Sequence, residues 1–177
     1  MSRIDLSLTA PIARSAKVLQ CEGMFDVPER RHSNAEFHFD VPLDERSWQI
    51  GLITGPSGAG KSQVARALFD DALIEGYDWD ADKAIVDGFG AMPVRDVVGA
   101  LSAVGFASPP GWLKPYRVLS NGERFRVNLA RAIVDERPLV AMDEFSSVVD
   151  RQVGRIGAHA SAKAVRARPG KRFVAVT

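Results

Sequence analysis

Residues 48–69 read WQIGLITGPSGAGKSQVARALF. Three chemically different pieces follow one another in this stretch. Residues 48–54, WQIGLIT, form a nearly continuous apolar run, the pattern of a strand buried on both faces of a parallel sheet. Gly55-Pro56-Ser57-Gly58-Ala59-Gly60-Lys61-Ser62 fits G-x-x-x-x-G-K-[ST]. Its glycines let the backbone wrap so that several N–H groups face one anion. The helix expected from Ser62 onward adds the positive end of its dipole. In this pattern Lys61 reaches the β- and γ-phosphates and the Ser62 hydroxyl ligates Mg²⁺. Gln63, on the same first turn, is counted with the nucleotide site.

The surrounding chain supplies alternating strands and helices. EFHFDVPL at 36–43 alternates like a half-buried strand, and KAIVDGF at 83–89 reads as another short strand. Val94, Val97, Val98, Leu101 and Val104 recur at helical spacing. Gly105, Pro109, Pro110, Gly111 and Pro115 mark a loop at 105–116. A helix is expected from Ser120 to near Pro138, a buried strand at LVAM (139–142), a helix at 151–167 and a last strand at RFVAVT. This order means α/β, with a mainly parallel sheet core flanked by helices, and with the glycine motif at 55–62 it resembles the P-loop NTPase fold.

Asp143 and Glu144 end the LVAM strand. Acids at the carboxyl end of a core strand face the crevice where such sheets bind ligands. Asp143 is therefore the candidate Mg²⁺ ligand beside Ser62. Glu144 is the candidate for orienting or deprotonating an attacking water. Upstream, Leu119-Ser120-Asn121-Gly122-Glu123 is a capping box, with Ser at the N-cap and Glu at N3. Ser120 stands 23 residues before Asp143.

Order and spacing together resemble the ATP-binding-cassette (ABC) ATPases. LSNGE stands where that family has its signature, LARAIVDERPLVAMDEF resembles its run into the catalytic glutamate, and Ser146-Ser147-Val148-Val149-Asp150 resembles its D-loop. The resemblance covers roughly residues 20–177. It implies a single ABC-type domain over 1–177, with an N-terminal antiparallel β part and a reduced helical region at 90–135. It further implies Mg-ATP as ligand, catalysis by Glu144 and Lys61, and an ATP-dependent homodimer. In that dimer Ser120, Asn121, Gly122 and Glu123 of one copy would meet the nucleotide on the P-loop of the other. The adenine-stacking aromatic would lie upstream of the P-loop, with Phe25 first by order and Phe39 and Trp48 behind it.

The chain also departs from the family. Ser120 stands only 59 positions after Lys61. Asp87 stands near the place of the usual Q-loop glutamine and is counted as a further metal-side residue. Phe145 replaces the usual proline, and no switch histidine follows the last strand, so slow hydrolysis is expected. The main expectation is a soluble ABC ATPase outside transport. The alternatives are the nucleotide-binding subunit of an ABC transporter or a DNA-linked ABC ATPase. A kinase is a different-class reading, but it gives no reason for the 23-residue spacing.

Composition sets the remaining bounds. The chain is 46% hydrophobic and 25% charged, with a formal net charge of +1. One cysteine, Cys21, gives no disulfide framework and is expected in the core. No apolar run is long enough to span a membrane and no signal-peptide core begins the chain, so a cytoplasmic chain without membrane insertion is expected. Arg151, Arg155, His159, Lys163 and Arg166 fall on one stripe of the last helix, opposite Val153, Ile156, Ala160, Ala164 and Ala167. That stripe is a solvated face or a surface for nucleic acid or an acidic protein.

Overall fold

The structure, a computed structural model, describes residues 2–43, 45, 47–147 and 149–177. Its backbone divides into two compact units, residues 1–46 and 47–177. The first is an antiparallel pair, β1 (Ser2–Pro11) and β2 (His32–Val41), with helix α1 (Ala16–Phe25) in the connection. Register sets Ile4 opposite Phe39 and Leu6 opposite Phe37. The Phe37 and Phe39 rings stack at 6.1 Å. Ser15 caps α1 by accepting the Val18 N–H at 3.3 Å. Sequence alternation reaches only the second of these strands. Cys21 lies exposed on α1 rather than in a core, because none of this unit's described residues is fully buried.

The second unit is a four-stranded parallel sheet with helices. Its elements run β3 (Ile50–Ile53), α2 (Lys61–Phe69), β4 (Leu73–Ile74), α3 (Val94–Ala103), α4 (Pro109–Trp112), α5 (Asn121–Val134), β5 (Leu139–Met142), α6 (Arg151–Arg166) and β6 (Arg172–Val176). The spatial order is β3-β6-β5-β4. Ile50 pairs with Phe173, Leu139 with Arg172 and Ile74 with Met142. The carboxyl ends of β3, β5 and β4 therefore line up, and each leads into a polar segment: the glycine loop, Asp143 and Glu75.

Two strand expectations are corrected. KAIVDGF is not a strand: residues 85–89 form a 3-10 turn that buries Ile85 and Phe89, and only an isolated bridge joins Ala84 to Pro115. The fourth strand is instead the two-residue β4, placed at the sheet edge by pairing with β5. β3 is not buried on both faces, because it is the opposite edge strand, and Ile50 and Leu52 are exposed.

The core gathers on α5. Phe125, Leu129 and Ile133 pack against Val97, Leu101 and Val104 of the α3 region, beneath Val140 and Phe173 of the sheet. α5 and α6 touch at Gly157, where a Cβ would lie 2.9 Å from both Leu129 Cδ2 and Phe125 Cε1. Gly154, Gly157, Ala160, Ser161 and Val165 form the buried face of α6. Val153 is only half-buried and Ile156 is 41% exposed, so the expected apolar face is rotated toward the glycines.

At the far end of α5 the last carbonyls are satisfied by cations. Buried Lys171 donates to Asp135 O (2.6 Å) and Arg137 O (2.7 Å), and Arg168 donates to Ile133 O (2.8 Å). Burial holds the Lys171 ammonium below its usual range. Arg137 grips the Asp135 carboxylate with Nε (2.9 Å) and Nη2 (2.7 Å). Partial burial pushes that carboxyl up, but the hydrogen bonds from Arg137 outweigh it and leave Asp135 at about 2.

Candidate functional site

The glycine loop takes the conformation its residues permit. Gly58 and Gly60 sit at φ +79° and +81°, where a side chain is strained. Gly60 is the N-cap of α2 and accepts the first helical bond from the Val64 N–H at 2.9 Å. The Lys61 ammonium curls back across the loop and donates to the carbonyls of Gly55 (2.9 Å) and Pro56 (3.0 Å). Among the described residues, the backbone N–H groups of Lys61, Ser62 and Gln63 have no hydrogen-bond partner. These are the orphan donors of a helix first turn, beside a fixed ammonium and on an exposed loop. The donor set fits a polyphosphate.

The acid side is shaped by Phe145. Its ring is buried edge-on against Phe125 (5.4 Å) and Phe173 (6.0 Å), and its N–H donates to Val176 O at 2.7 Å. Anchored there, it forces the preceding Glu144 out of the core at φ +50°, a left-handed conformation unusual for a glutamate. Ser147 ties down the Glu144 carbonyl, donating to it through its N–H (3.1 Å) and hydroxyl (2.9 Å). Glu144 is exposed. The Asp143 carboxylate accepts the Glu144 N–H at 2.8 Å through Oδ1, so its other oxygen is available to a cation. A serine hydroxyl and one carboxylate are the hard oxygen donors that Mg²⁺ takes, and no group of three or more His, Cys, Asp or Glu forms a closed cage among the described residues. Of the D-loop residues, Val148 lies outside the described set.

One pair escapes a reading of the sequence alone. Glu75 follows Ile74 as Asp143 follows Met142, and Ile74 and Met142 are register partners. The Asp143 N–H donates to Ile74 O at 3.0 Å, so two acids end adjacent strands. Arg66, one helical turn after Ser62, donates to Glu75 through Nε at 3.1 Å. The Glu75 hydrogen bond, and more weakly the Asp143 charge, hold its guanidinium firmly protonated. The signal is only two apolar residues before Glu75-Gly76, too short for any periodicity. Asp87, the sequence candidate for this place, is exposed on the 3-10 turn, with no side-chain tie to Asp143 or Ser62 among the described residues.

The segment after Glu75 is fastened to α5. Trp79 donates to Asn128 Oδ1 at 2.7 Å and stacks on Tyr116 at 5.3 Å. The Arg131 guanidinium lies 4.6 Å from the Tyr77 ring centre and 4.9 Å from that of Trp79. Gly88 lies against Trp79, where a Cβ would come 2.2 Å from the indole, so only glycine fits.

At the other end of α5 the capping box forms in full. Ser120 Oγ accepts the Glu123 N–H at 3.4 Å, and Glu123 accepts the Ser120 N–H and hydroxyl, each at 2.8 Å. The backbone N–H of Ser120, and then its hydroxyl, keep the Glu123 carboxyl below its usual range. Ser120 and Asn121 are exposed, and Gly122 and Glu123 half-buried. Phe25, the candidate for adenine stacking, is 71% exposed at the end of α1 in the first unit. Phe39 is half-buried on β2 of that unit, and Trp48 is half-buried before β3 in the second.

No family model matches the chain. Individual relatives do. The oligomycin resistance ATP-dependent permease YOR1 of Saccharomyces cerevisiae is 26% identical over 174 residues, covering 82% of this chain and 12% of that protein. The hemin import ATP-binding protein HmuV of Streptomyces coelicolor is 26% identical over 153 residues, covering 62% of this chain and 53% of HmuV. The chain thus spans about half or less of the length of these two relatives. Among solved structures, MJ0796, described as a bacterial ABC transporter cassette and seen as a dimer, superposes with a TM-score of 0.60 at 18% identity, over 73% of this chain and 74% of MJ0796. No described helix is long and apolar enough to cross a membrane. Sequence and fold likeness agree with the class that the motif spacing implies: the chain is similar to the ATP-binding parts of ABC transport proteins and shares the fold of an ABC cassette.

Proposed function

We propose that the chain binds Mg-ATP in the crevice between the glycine loop and Asp143, pairs head to tail with a second copy around the nucleotide, and hydrolyses it as the nucleotide-binding domain of an ATP-driven transport assembly. The observation that carries the pairing is the exposed capping box. Ser120 starts a 14-residue helix with its hydroxyl and first-turn donors at the surface, the same kind of anion end that α2 offers. One chain holds two such ends, and two chains supply both to each nucleotide.

In this reading Lys61 exchanges its two loop carbonyls for phosphate oxygens, and the free N–H groups of the first turn of α2 bind the same phosphates. Ser62 and Asp143 would hold Mg²⁺, and its charge would offset the negative charge of the phosphates. Glu144, held out of the core by Phe145, takes a proton from the attacking water and aligns it with the γ-phosphorus. The water oxygen bonds to phosphorus as the bond to the β–γ bridging oxygen breaks, releasing ADP and phosphate.

The sequence on its own favours an ATPase outside transport, on the strength of Asp87 and the short helical region. The transport reading is preferred because the relatives are transport proteins, and because a groove of about 700 Å³ opens beside α5, walled by Tyr77, Phe89, Met92, Arg131 and Val134. Such a groove suits docking of a partner subunit. A long helical insertion of the DNA-linked type finds no support, since α3 has only 10 residues.

The test is the solution mass of Glu144→Gln with and without Mg-ATP, beside Ser120→Arg in that background. A doubling with ATP that Ser120→Arg abolishes supports the pairing. Tight ATP binding without any change in mass would overturn it.

A further inference from the structure

The chain leaves β5 through a backbone that its residues resist. Glu144 sits at φ +50° and Ser146 at φ +63°, and neither is glycine. Among the described residues the other non-glycine case is Asp26, which ends α1, where a left-handed residue is common. The turn at 144–146 follows a strand rather than a helix, so that explanation does not reach it. Side chains persist in this conformation only where the surroundings over-determine it, and such strain gathers at functional sites.

Three elements supply the constraint. From β6, Val176 O accepts the Phe145 N–H at 2.7 Å, a bond that a proline at 145 could not make. From α5, the Phe125 ring meets the Phe145 ring edge-on at 5.4 Å, and Phe173 of β6 meets it at 6.0 Å. From α6, Gly154 approaches so closely that a Cβ there would stand 2.9 Å from Ser146 Cβ. Both backbone polar groups of Glu144 are also committed, its N–H to Asp143 Oδ1 and its carbonyl to Ser147. Its carboxylate is exposed and has no hydrogen-bond or ion-pair partner among the described residues. A buried ring that only fills space asks for neither a left-handed residue on each side nor a free carboxylate in front of it.

We propose that Phe145 is a positioning residue. Clamped by Phe125, Phe173 and Val176, it sets the direction of the Glu144 carboxylate toward the attacking water. A base must lie within hydrogen-bond reach of the proton it takes, and small misplacements cost rate steeply. Phe125 stands five positions after Ser120 on α5, so the direction of Glu144 depends on the placement of the helix that begins at the capping box. The inference rests on Glu144 acting as the base in the function proposed above.

The experiment is single-turnover hydrolysis of Mg-ATP by the full chain, with affinity for a non-hydrolysable ATP analogue measured beside it. Phe145→Leu and Phe125→Leu stay apolar and lose the edge-on contact. Gly154→Ala leaves the rings intact and presses on Ser146 from α6. Each should lower the rate by roughly 10- to 100-fold and leave analogue affinity unchanged, which also reports that the variant is folded. If one of the ring variants does not fold, Gly154→Ala and the other carry the test. In a Glu144→Gln background the same variants should add little further loss, because a residue that acts through Glu144 has nothing left to position. The proposal is overturned if the rates are unchanged, if analogue affinity falls in step with rate, or if the losses add to that of a slow Glu144→Gln. Additive losses strike this inference alone. A Glu144→Gln protein that hydrolyses at the parent rate removes the base assignment, and the inference falls with it.

Discussion

The same substitution, Gly→Ala, should have opposite signs at two helical positions. Alanine in a helix interior is favoured over glycine by about 1 kcal/mol through backbone entropy. Gly99 lies exposed in α3 with nothing within 4 Å of where a Cβ would stand, so only that gain applies. Gly157 lies in α6 against α5, and an added Cβ would meet Leu129 Cδ2 and Phe125 Cε1 at 2.9 Å and Phe125 Cζ at 3.0 Å. Those contacts are shorter by most of an ångström than a comfortable carbon–carbon separation of about 3.5–4.0 Å. Leu129 is 0% and Phe125 4% exposed, so neither can swing into solvent. Overpacking of this kind costs ~1–3 kcal/mol, which exceeds the entropy gain. Gly99→Ala should therefore stabilise by about 0.5–1 kcal/mol, and Gly157→Ala destabilise by about 1–2 kcal/mol. Equilibrium urea unfolding, with the slope checked for constancy, measures both. For a chain of this size each kcal/mol also moves Tm by about 2–4 °C. A neutral or stabilising Gly157→Ala would refute the close α5–α6 crossing, and with it the placement of the helix that carries the capping box.

Acid should remove a defined increment of stability. Asp135 titrates at about 2 in the fold against an ordinary 3.8, so its contribution is complete above the ordinary value and lost as pH falls through about 2. Because Arg137 is 40% exposed, that increment is about 1–2 kcal/mol rather than the full shift. Asp135→Asn should flatten thermal stability over this window, and an unchanged profile would reject the pair. Ser120→Ala should cost about 1 kcal/mol as a lost cap. Ser120→Asp should keep the cap yet block ATP-driven pairing by placing a carboxylate against phosphate, read by urea unfolding and by solution mass. Arg66→Ala should leave Glu75 unneutralised beside Asp143 and lower the Mg²⁺ concentration for half-maximal hydrolysis. Glu75→Gln in that background should restore it, and no response in a Mg²⁺ titration would exclude Glu75 from the metal side.

What is legible in the sequence is what the backbone itself demands. A phosphate-wrapping loop needs glycines at left-handed positions and a lysine after the last of them, so residues 55–62 can be read without a fold. The capping box is equally local, with both partners inside four residues, and it forms at Ser120–Glu123 as the spelling implies. α3, α5, α6, β5 and β6 are also readable, because each is long enough or apolar enough to impose its own period.

Other features depend on neighbours distant in sequence. β4 is two residues long and exists only because β5 offers it hydrogen bonds, so Glu75 stays hidden while the apolar run at 83–89 draws the strand assignment. β3 reads as a doubly buried strand, yet spatial order makes it an edge, and burial is a property of partners rather than of the run itself. The apolar pattern on α6 cannot show that glycines form the contact face, since close approach rewards the side chain that is absent. The sequence alone therefore determined the local conformations on which the proposed chemistry rests, because a left-handed glycine loop and a reciprocal helix cap are written in local backbone geometry and donor type. Only the tertiary structure decided which acids share the crevice and which face is left to solvent, because those follow from strand order and helix approach, set by contacts across the whole second unit.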